Sequence, residues 1–528
     1  MATACAAVLA DNGPQTVSPT DATQLRARGP ARTGHQLIVP YYTVQNGNAT
    51  LLNIVNADLQ YGKAVKVRFR GAGNADSVFD FQLYLSPGDV WAATVARGAD
   101  GRAVLTTTDK SCTLPAGVGA GGSGFLTGRL PASMTAAELA AQTREGYVEI
   151  VTMADIHPLA AVLATGAVST ADNPLYNAIQ HVAGVPPCSV AALNRLAVDP
   201  PAATGVDGAY DLGLRAPTTG LLANWIIINV PLSGAASGEA ISVVAAAASN
   251  QPARGNIVFS PQTGAVAATP NLHTADPAFR TIAGAANGDV QNGAGAAYTA
   301  GTTPILTALM LDFPDLSTPY ARLDSYPSAY AAPLTQANNL STALATFLVQ
   351  NEYLTDTTIT AATDWVLAQP TRRYHVTLDY RPGTPDTFAR AFNASAFYGA
   401  ASTRNEDGLA CAVTSGLQYF DREALTAISD GGAVPSPPPR GLYFCGAVSV
   451  MTFNTAGASA LGAELTRRQI TTGLVQSGWA TIATPGATNN GIPMIGRSFI
   501  RATNPAVTPG IAANFGGGFE HRYVPLIP

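Results

Sequence analysis

The residues of this chain that come closest to a catalytic pattern lie in the segment 374–380. Read as a strand, this segment places His375, Thr377 and Asp379 on one face, because side chains two residues apart share a face. Threonine is a weak nucleophile without a special base, and the chain contains no Gly-x-Ser-x-Gly nucleophile elbow. A strand face in contact with solvent or a partner explains the same stripe. The sequence therefore predicts a protein that is not an enzyme.

Turns rich in oxygen ligands are the second kind of candidate site, since Ca²⁺ prefers carboxylate and carbonyl oxygens. Three turns carry paired acids, namely Asp76 and Asp80, Asp207 and Asp211, and Glu406 and Asp407. None of them has EF-hand spacing, and ordinary turn chemistry explains acids at these positions as well. The six histidines form no HxH or HExxH pair, which argues against a zinc enzyme. The chain thus offers calcium as its only candidate cofactor.

The cysteines are few and form no CxxC pattern, so they do not predict a zinc site. In an exported protein, four of them could form two disulfides. We expect Cys112 to pair with Cys188 and Cys411 with Cys445, because each pair would lie within one predicted domain. Buried free thiols are the alternative.

Aromatic residues could line a sugar-binding groove, and Tyr41, Tyr42 and Trp91 are the candidates for it. Packing in a hydrophobic core is the competing interpretation. The four tryptophans are spread along the chain, as expected if each of several β modules buries one indole in its core.

The elements that would position these residues are mostly strands. The clearest is a hairpin in which Val65, Val67 and Phe69 share one face of the first strand and a basic stripe occupies the other. Its second strand, 79–85, alternates in the same way and would place Asp80 opposite the basic stripe. We expect this hairpin to be half-buried in a sandwich or barrel.

Further elements follow from the same patterns. Thr135 and Glu138 form a capping-box signature for a short helix that ends near Arg144. The other expectations are strands at 37–44, 50–55 and 146–151, an interior strand at 221–230 that is apolar on both faces and pairs with 239–247, a helix at 336–353, and strands at 374–380, 442–445, 448–453 and 479–482.

Composition narrows the function further. Of the 528 residues, 47% are hydrophobic but only 12% are charged, about half the usual share for a soluble domain. Mixed surface charge normally keeps monomers apart, so this surface favours assembly. A drift in genome composition would give the same bias. The net charge of −5 and the lack of a basic block argue against nucleic-acid binding.

The beginning of the chain suggests export. Val8 to Ala10 before Asp11 fit the small-x-small rule for signal-peptide cleavage, although the basic and apolar regions expected before them are missing. Lipidation at Cys5 is a second interpretation, although the residues before Cys5 match that signal poorly. No stretch reaches the roughly 18 apolar residues of a membrane span, so we expect no transmembrane segment.

Several short motifs resemble one family along nearly the whole chain. They are the runs 40–48, 65–70, 81–91, 351–353, 364–366, 370–374, 451–454, 491–496 and 516–523. These runs resemble a thinly characterised group of proteobacterial cell-surface or surface-layer-like proteins. The resemblance implies an exported, β-rich protein at the outer cell surface and supplies no catalytic residue.

Together these observations predict a mainly β fold with several packed β-sandwich-like domains, Ig-like or jelly-roll-like, with a few short helices and long loops. The expected organisation is an N-terminal segment 1–30, a β domain with a short helix at 31–200, a β domain with long loops and one helix at 201–395, and a C-terminal β domain at 396–528. We expect the protein to assemble with copies of itself into an extracellular surface layer or sheath on a Gram-negative bacterium. Lipopolysaccharide or an anchoring protein would attach it to the outer membrane. A monomeric adhesin or glycan-binding protein and a secreted carbohydrate-active enzyme are the alternatives.

Overall fold

The computed structural model describes most of the chain. The described residues are 22–28, 32–128, 130–131, 133–159, 171–193, 213–232, 234–247, 254–255, 332–378, 388–389, 396–423, 428–429, 442–453, 459–470, 472, 475–508 and 511–524. Of the sequence-predicted site residues, Asp207, Asp211 and Asp379 lie outside these ranges.

The fold is mainly β, as predicted, with short helices between strands. The first part contains β1 (Ala22–Arg28), β2 (Gln36–Thr43), β3 (Asn48–Asn56), β4 (Gly62–Gly71), β5 (Ser77–Leu85), β6 (Val90–Arg97), β7 (Ala103–Thr106), β8 (Cys112–Leu114), β9 (Ser123–Gly124), α1 (Ala136–Gln142), β10 (Glu145–Ile156), α2 (Pro174–Ile179), α3 (Val190–Leu193), β11 (Leu214–Arg215), β12 (Leu221–Asn229), β13 (Gly234–Glu239) and β14 (Ile241–Ala247).

The second part is built in the same way. It contains α4 (Ala332–Leu344), β15 (Ala345–Thr346), β16 (Leu348–Leu354), β17 (Ala362–Ala368), α5 (Arg372–His375), β18 (Thr377–Leu378), β19 (Phe388–Ala389), β20 (Thr403–Glu406), β21 (Leu409–Val413), β22 (Ser415–Asp421), β23 (Ile428–Ser429), β24 (Tyr443–Cys445), β25 (Val448–Phe453), β26 (Arg467–Ile470), β27 (Ser477–Ala483), β28 (Ile492–Pro493), β29 (Ile495–Thr508), β30 (Ile511–Glu520) and β31 (Arg522–Val524).

Two sheets form a sandwich around the largest core. One has the order β1-β14-β2-β10-β4-β5-β8, and the other has the order β13-β12-β3-β6-β7-β9. Side chains from both sheets share one hydrophobic cluster that includes Trp91 and Trp225. Strands on both sides of residue 200 are therefore hydrogen-bonded in the same sheets.

The remaining large sheets form further layers on one side of this sandwich. One has the order β26-β25-β17-β29-β30, and another has the order β23-β22-β27-β16-β31. The alternation of β17 shows how the layers are joined, because Val366 and Ala368 belong to the first core whereas Trp365 and Leu367 belong to a second one. The sheet that contains β17 thus lies between the two cores.

The predicted hairpin is confirmed as β4 and β5, with Arg68 paired opposite Asp80. Its predicted half-burial is wrong, since Lys66, Arg68 and Arg70 are at most 4% exposed. The buried charges are tolerated because they have partners: Lys66 Nζ lies 2.5 Å from Asp80 Oδ2, and Arg70 Nε donates to Glu149 over 3.1 Å.

The strands expected at 37–44 and 50–55 form as β2 and β3 and belong to opposite sheets of the sandwich. The strand expected at 221–230 has a different partner from the predicted one. It pairs as β12 with β13, whereas β14 crosses to the other sheet and pairs with β1 and β2. The strand β12 is also only half-buried on its outer side, where Asn224 is exposed.

The helix expected at 336–353 ends early. The structure has α4 from Ala332 to Leu344, and Leu348 already lies in β16. The strand expected at 374–380 also differs, since His375 ends the short helix α5 and, within the described residues 374–378, the strand comprises Thr377 and Leu378. The helix after Thr135 is confirmed together with its capping box.

Candidate functional site

Two disulfides form with the predicted pairing. Cys112 is bonded to Cys188 across a sequence separation of 76 residues, and Cys411 to Cys445 across 34 residues. Bonds of this kind persist in oxidising compartments such as the cell exterior. None of the helices in the described ranges is long and apolar enough to cross a membrane.

Two of the candidate calcium ligands are engaged in ion pairs within the chain. The carboxylate of Asp80 pairs with Lys66, and that of Glu406 pairs with Arg404. Asp407 occupies a left-handed turn with φ of 51° between β20 and β21, where Asp is a favoured residue. Within the described residues, no three His, Cys, Asp or Glu side chains come together in a metal-binding group.

The other sequence candidates lie in the interior. Tyr41, Tyr42 and Trp91 are at most 1% exposed and belong to the first core, so they do not line an open groove. His375 is also fully buried, and its Nε2 lies 2.8 Å from Ser341 Oγ. This contact resembles a nucleophile–base pair, but a substrate could not reach the buried hydroxyl.

The surface shows a more informative pattern. Scattered exposed apolar side chains are normal, whereas groups of them mark contact surfaces. In the described part of the chain, the large exposed apolar side chains concentrate in two groups. The first group, which we name the loop end, is Leu59, Val90, Val182 and Val185, and the second, which we name the cleft end, is Val230, Leu232 and Phe515.

The register of the sandwich places these groups at opposite ends of the same strands. The strands β3 and β12 are antiparallel, with Asn56 opposite Leu221 and Asn48 opposite Asn229. Leu59 follows the Asn56 end of β3, whereas Val230 directly follows Asn229. Because a strand rises about 3.4 Å per residue, these nine-residue strands separate the two ends by about 30 Å.

The loop end is assembled by hydrogen bonds between three connections. The carbonyl oxygen of Asp58 accepts from Gly88 N over 3.0 Å, and the side chain of Asn56 donates to Ser86 O over 2.9 Å. The hydroxyl of Ser86 lies 3.3 Å from the ring of His181, which brings the turn 182–185 to the same place. Leu59 projects from this end and is 75% exposed.

The cleft end surrounds a cavity of about 540 Å³, within the size range of ligand pockets. It is formed by the β12–β13 connection, the loop 459–462, and the strands β29 and β30. Its described lining includes two arginines, Arg467 and Arg501, and no acidic residue. Phe515, at its rim, is 65% exposed.

Buried polar side chains hold the loop 459–462 in place. The carboxylate of Asp364, in β17, accepts from Leu461 N over 2.8 Å and from the hydroxyl of Ser459. Burial raises the pKa of Asp364. From the other side, the amide of Asn48 donates to Leu461 O over 2.6 Å. The loop is therefore fixed to β17 on one side and to β3 of the sandwich on the other before anything binds.

The loop 459–462 requires glycine at position 462. Gly462 has φ of +66°, and a Cβ atom at this position would lie 2.8 Å from the side chain of Asn46. The amide of Asn46 donates to Gly462 O over 2.7 Å. A side chain here would be strained and would push the loop away from the sandwich.

The sequence analysis did not predict the exposed apolar groups at the loop end and the cleft end. Leu59 and Val182 lie at turns, outside the patterns from which strand faces are predicted. Val230 was expected to end the interior strand 221–230, but it follows β12 and is 75% exposed. Phe515 carried a weak signal, because it stands in the aromatic and glycine-rich run near residue 516, but nothing local places it beside Leu232.

Comparison with known proteins gave no match, whether to a protein-family model, to a curated protein or to a solved structure.

Proposed function

We propose that this protein is a structural component of a bacterial cell surface that assembles head to tail with copies of itself. The observation that carries the proposal is the concentration of exposed apolar side chains at two opposite ends of the sandwich. Two different patches on one chain make a heterologous contact, and such contacts generate open arrays when the rotation between copies does not close.

The chemistry of the ends favours a contact between unlike surfaces. The cleft end carries Arg467 and Arg501 without an acidic residue in its described lining. Near the loop end, the carboxylates of Asp89 and Asp109 lie on either side of Ser111, with Lys110 next to them. Docking of Leu59 into the cleft would cover apolar surface and bring opposite charges closer together.

The two disulfides, the low charge content and the resemblance in sequence support a place outside the cell, on a Gram-negative outer surface. Calcium would act in such an array between copies; within one chain, Asp80 is paired with Lys66 and Glu406 with Arg404.

Assembly is tested by sedimentation velocity and negative-stain electron microscopy of the purified protein, with and without millimolar calcium. We expect concentration-dependent filaments, sheets or tubes. Monomers at every concentration and calcium level would show the proposal to be wrong.

Two variants test the ends directly. Leu59→Asp blocks the loop end and Phe515→Asp blocks the cleft end, so each protein alone should remain monomeric. Their mixture should form dimers that grow no further, because each variant keeps one intact end. The control is Asn224→Asp, which adds the same charge at an exposed position in the middle of β12 and should assemble normally.

A further inference from the structure

A second cleft lies outside both ends of the molecule, and the assembly proposal does not use it. It has a volume of about 600 Å³ and is formed by the outer face of the sheet that contains β27, together with β29 and β30. Its lining combines Trp479 and Phe519 with the charged residues Glu352, Asp421, Arg422 and Arg522.

Trp479 differs from the other three tryptophans. Trp91, Trp225 and Trp365 are at most 1% exposed, whereas Trp479 is only half-buried, contrary to the expectation of one buried indole for each module. Its ring stacks on that of Phe420, with centroids 4.2 Å apart and planes 15° apart. The stacking fixes the orientation of the indole at the surface.

The register of the sheet explains how this row forms. Trp479 in β27 pairs with Phe420 in β22 on one side and with Glu352 in β16 on the other. Arg522 then donates to Glu352 Oε1 over 3.2 Å from β31. Four neighbouring strands therefore place two stacked rings, a carboxylate and a guanidinium in one line.

The strand β30 contributes Phe519, which is 49% exposed. The cleft is thus lined by an indole and a phenyl ring from two different sheets. Because the side chains of Glu352 and Arg522 are 53% and 67% exposed, both remain accessible to a ligand despite their contact with each other.

This arrangement matches the chemistry of a sugar. A pyranose ring has an apolar C–H face that packs on an aromatic ring, and hydroxyl groups at its edge that donate to carboxylates and accept from guanidinium groups. In the part of the lining that the structure describes, two acidic and two basic residues balance in charge, which favours an uncharged ligand over an acidic one. We infer that the cleft at Trp479 binds an uncharged saccharide chain, stacked on the indole and hydrogen-bonded to Glu352 and Arg522.

The inference is independent of self-assembly and is tested on protein kept monomeric by Leu59→Asp, which lies at the loop end. The probes are maltohexaose, cellohexaose, mannohexaose and chitohexaose. Because Trp479 is the accessible indole among the four, binding should change tryptophan emission in a saturable way and protect it from acrylamide quenching.

Substitutions in the cleft test whether it is the place where the saccharide binds. Trp479→Ala should weaken the affinity measured by calorimetry by about fivefold or more, since loss of a stacking contact is worth about 1 kcal/mol or more. Glu352→Gln should weaken it less. The control is Tyr443→Ala, which removes a half-buried aromatic ring from another sheet and should leave the affinity unchanged.

If Trp479→Ala does not fold, Trp479→Phe replaces it, because a phenyl ring keeps the stacking on Phe420 while it reduces the platform for the sugar. The inference is wrong if none of the four saccharides gives saturable binding at millimolar concentration. It is equally wrong if binding occurs but is the same in the Trp479 variants. Neither result would bear on assembly, which is measured without saccharide.

Discussion

His521 should make the stability of this protein depend on pH. The residue lies between β30 and β31 and is 4% exposed. Its Nε2 lies 3.0 Å from the carbonyl oxygen of Val366, and its Nδ1 lies 3.0 Å from the amide nitrogen of Asn351. This side-chain nitrogen, Asn351 Nδ2, also donates to the carbonyl oxygens of Phe519 and Glu520. This geometry fits a neutral ring that donates from Nε2 and accepts at Nδ1.

Burial lowers the pKa of His521 to about 3, and the nearby charge of Arg497 contributes in the same direction. In the unfolded chain the pKa is about 6.5. Between these values only the unfolded chain binds the proton, so the contribution of His521 to stability is complete above pH 6.5. It is lost as the pH falls from 6.5 towards 3.

The magnitude follows from the difference between the two pKa values. Since one pKa unit corresponds to about 1.4 kcal/mol, the 3.5 units between 6.5 and 3 amount to about 5 kcal/mol at most. At pH 4.5, two units below the unfolded value, the loss should be about 2.7 kcal/mol.

The assay compares wild type with His521→Gln, whose side chain is uncharged and also carries one donor and one acceptor. Urea unfolding at pH 7 and at pH 4.5 gives the free energy of unfolding of each protein. We expect the advantage of wild type to shrink by about 2.7 kcal/mol on acidification. Buried Glu145 and Asp364 have raised pKa values and titrate in both proteins, so their contributions cancel in the comparison.

If the difference between wild type and His521→Gln stays constant from pH 7 to pH 4.5, the ring is not held neutral and the reasoning is refuted.

Other interactions give predictions of the same kind. Lys63→Met should lower the free energy of unfolding by about 3–5 kcal/mol. The reason is that Lys63 Nζ lies 3.0 Å and 2.6 Å from the buried carboxylates of Asp58 and Asp155, which would lose their cation. Denaturant unfolding measures the change, and an unchanged midpoint would contradict the prediction. Cys112→Ser should lower the free energy of unfolding by about 0.7 kcal/mol more than Cys411→Ser does, since the disulfide of Cys112 spans 76 residues and that of Cys411 spans 34. Denaturant unfolding under oxidising conditions measures both variants, and the opposite order would contradict this argument.

Local patterns predicted much of the secondary structure. Alternation of apolar and polar residues identified β4 and β5 and the partnership of Arg68 with Asp80, because side-chain direction in a strand depends only on position. The capping box at Thr135 was visible for the same reason, since all of its atoms lie within one helical turn.

The sequence predicted less well which strands pair with each other. The residues between β2 and β3 do not reveal whether β3 pairs with β2 or joins the opposite sheet, and in the structure β3 joins the opposite sheet. The end of α4 at Leu344 is similar, because the residues of β16 pair with β27 and the sheet overrides the helical pattern. The burial of Lys66, Arg68 and Arg70 could not be predicted either. Alternation of residue types shows that a strand has two different faces, but it does not show which other elements cover each face.

By itself, the sequence determined a β-rich chain with a low content of charged residues, because composition and alternation are additive or local properties. The two disulfides were one of two alternatives, and the structure decided between them because each bond joins residues far apart in the sequence. Only the tertiary structure decided which apolar side chains stayed uncovered. Leu59 and Phe515 are both apolar residues in irregular or glycine-rich segments, and nothing in their neighbours distinguishes them from core residues. Their exposure depends on how the sheets pack, and the antiparallel register of β3 and β12 places the two groups to which they belong at opposite ends of the molecule.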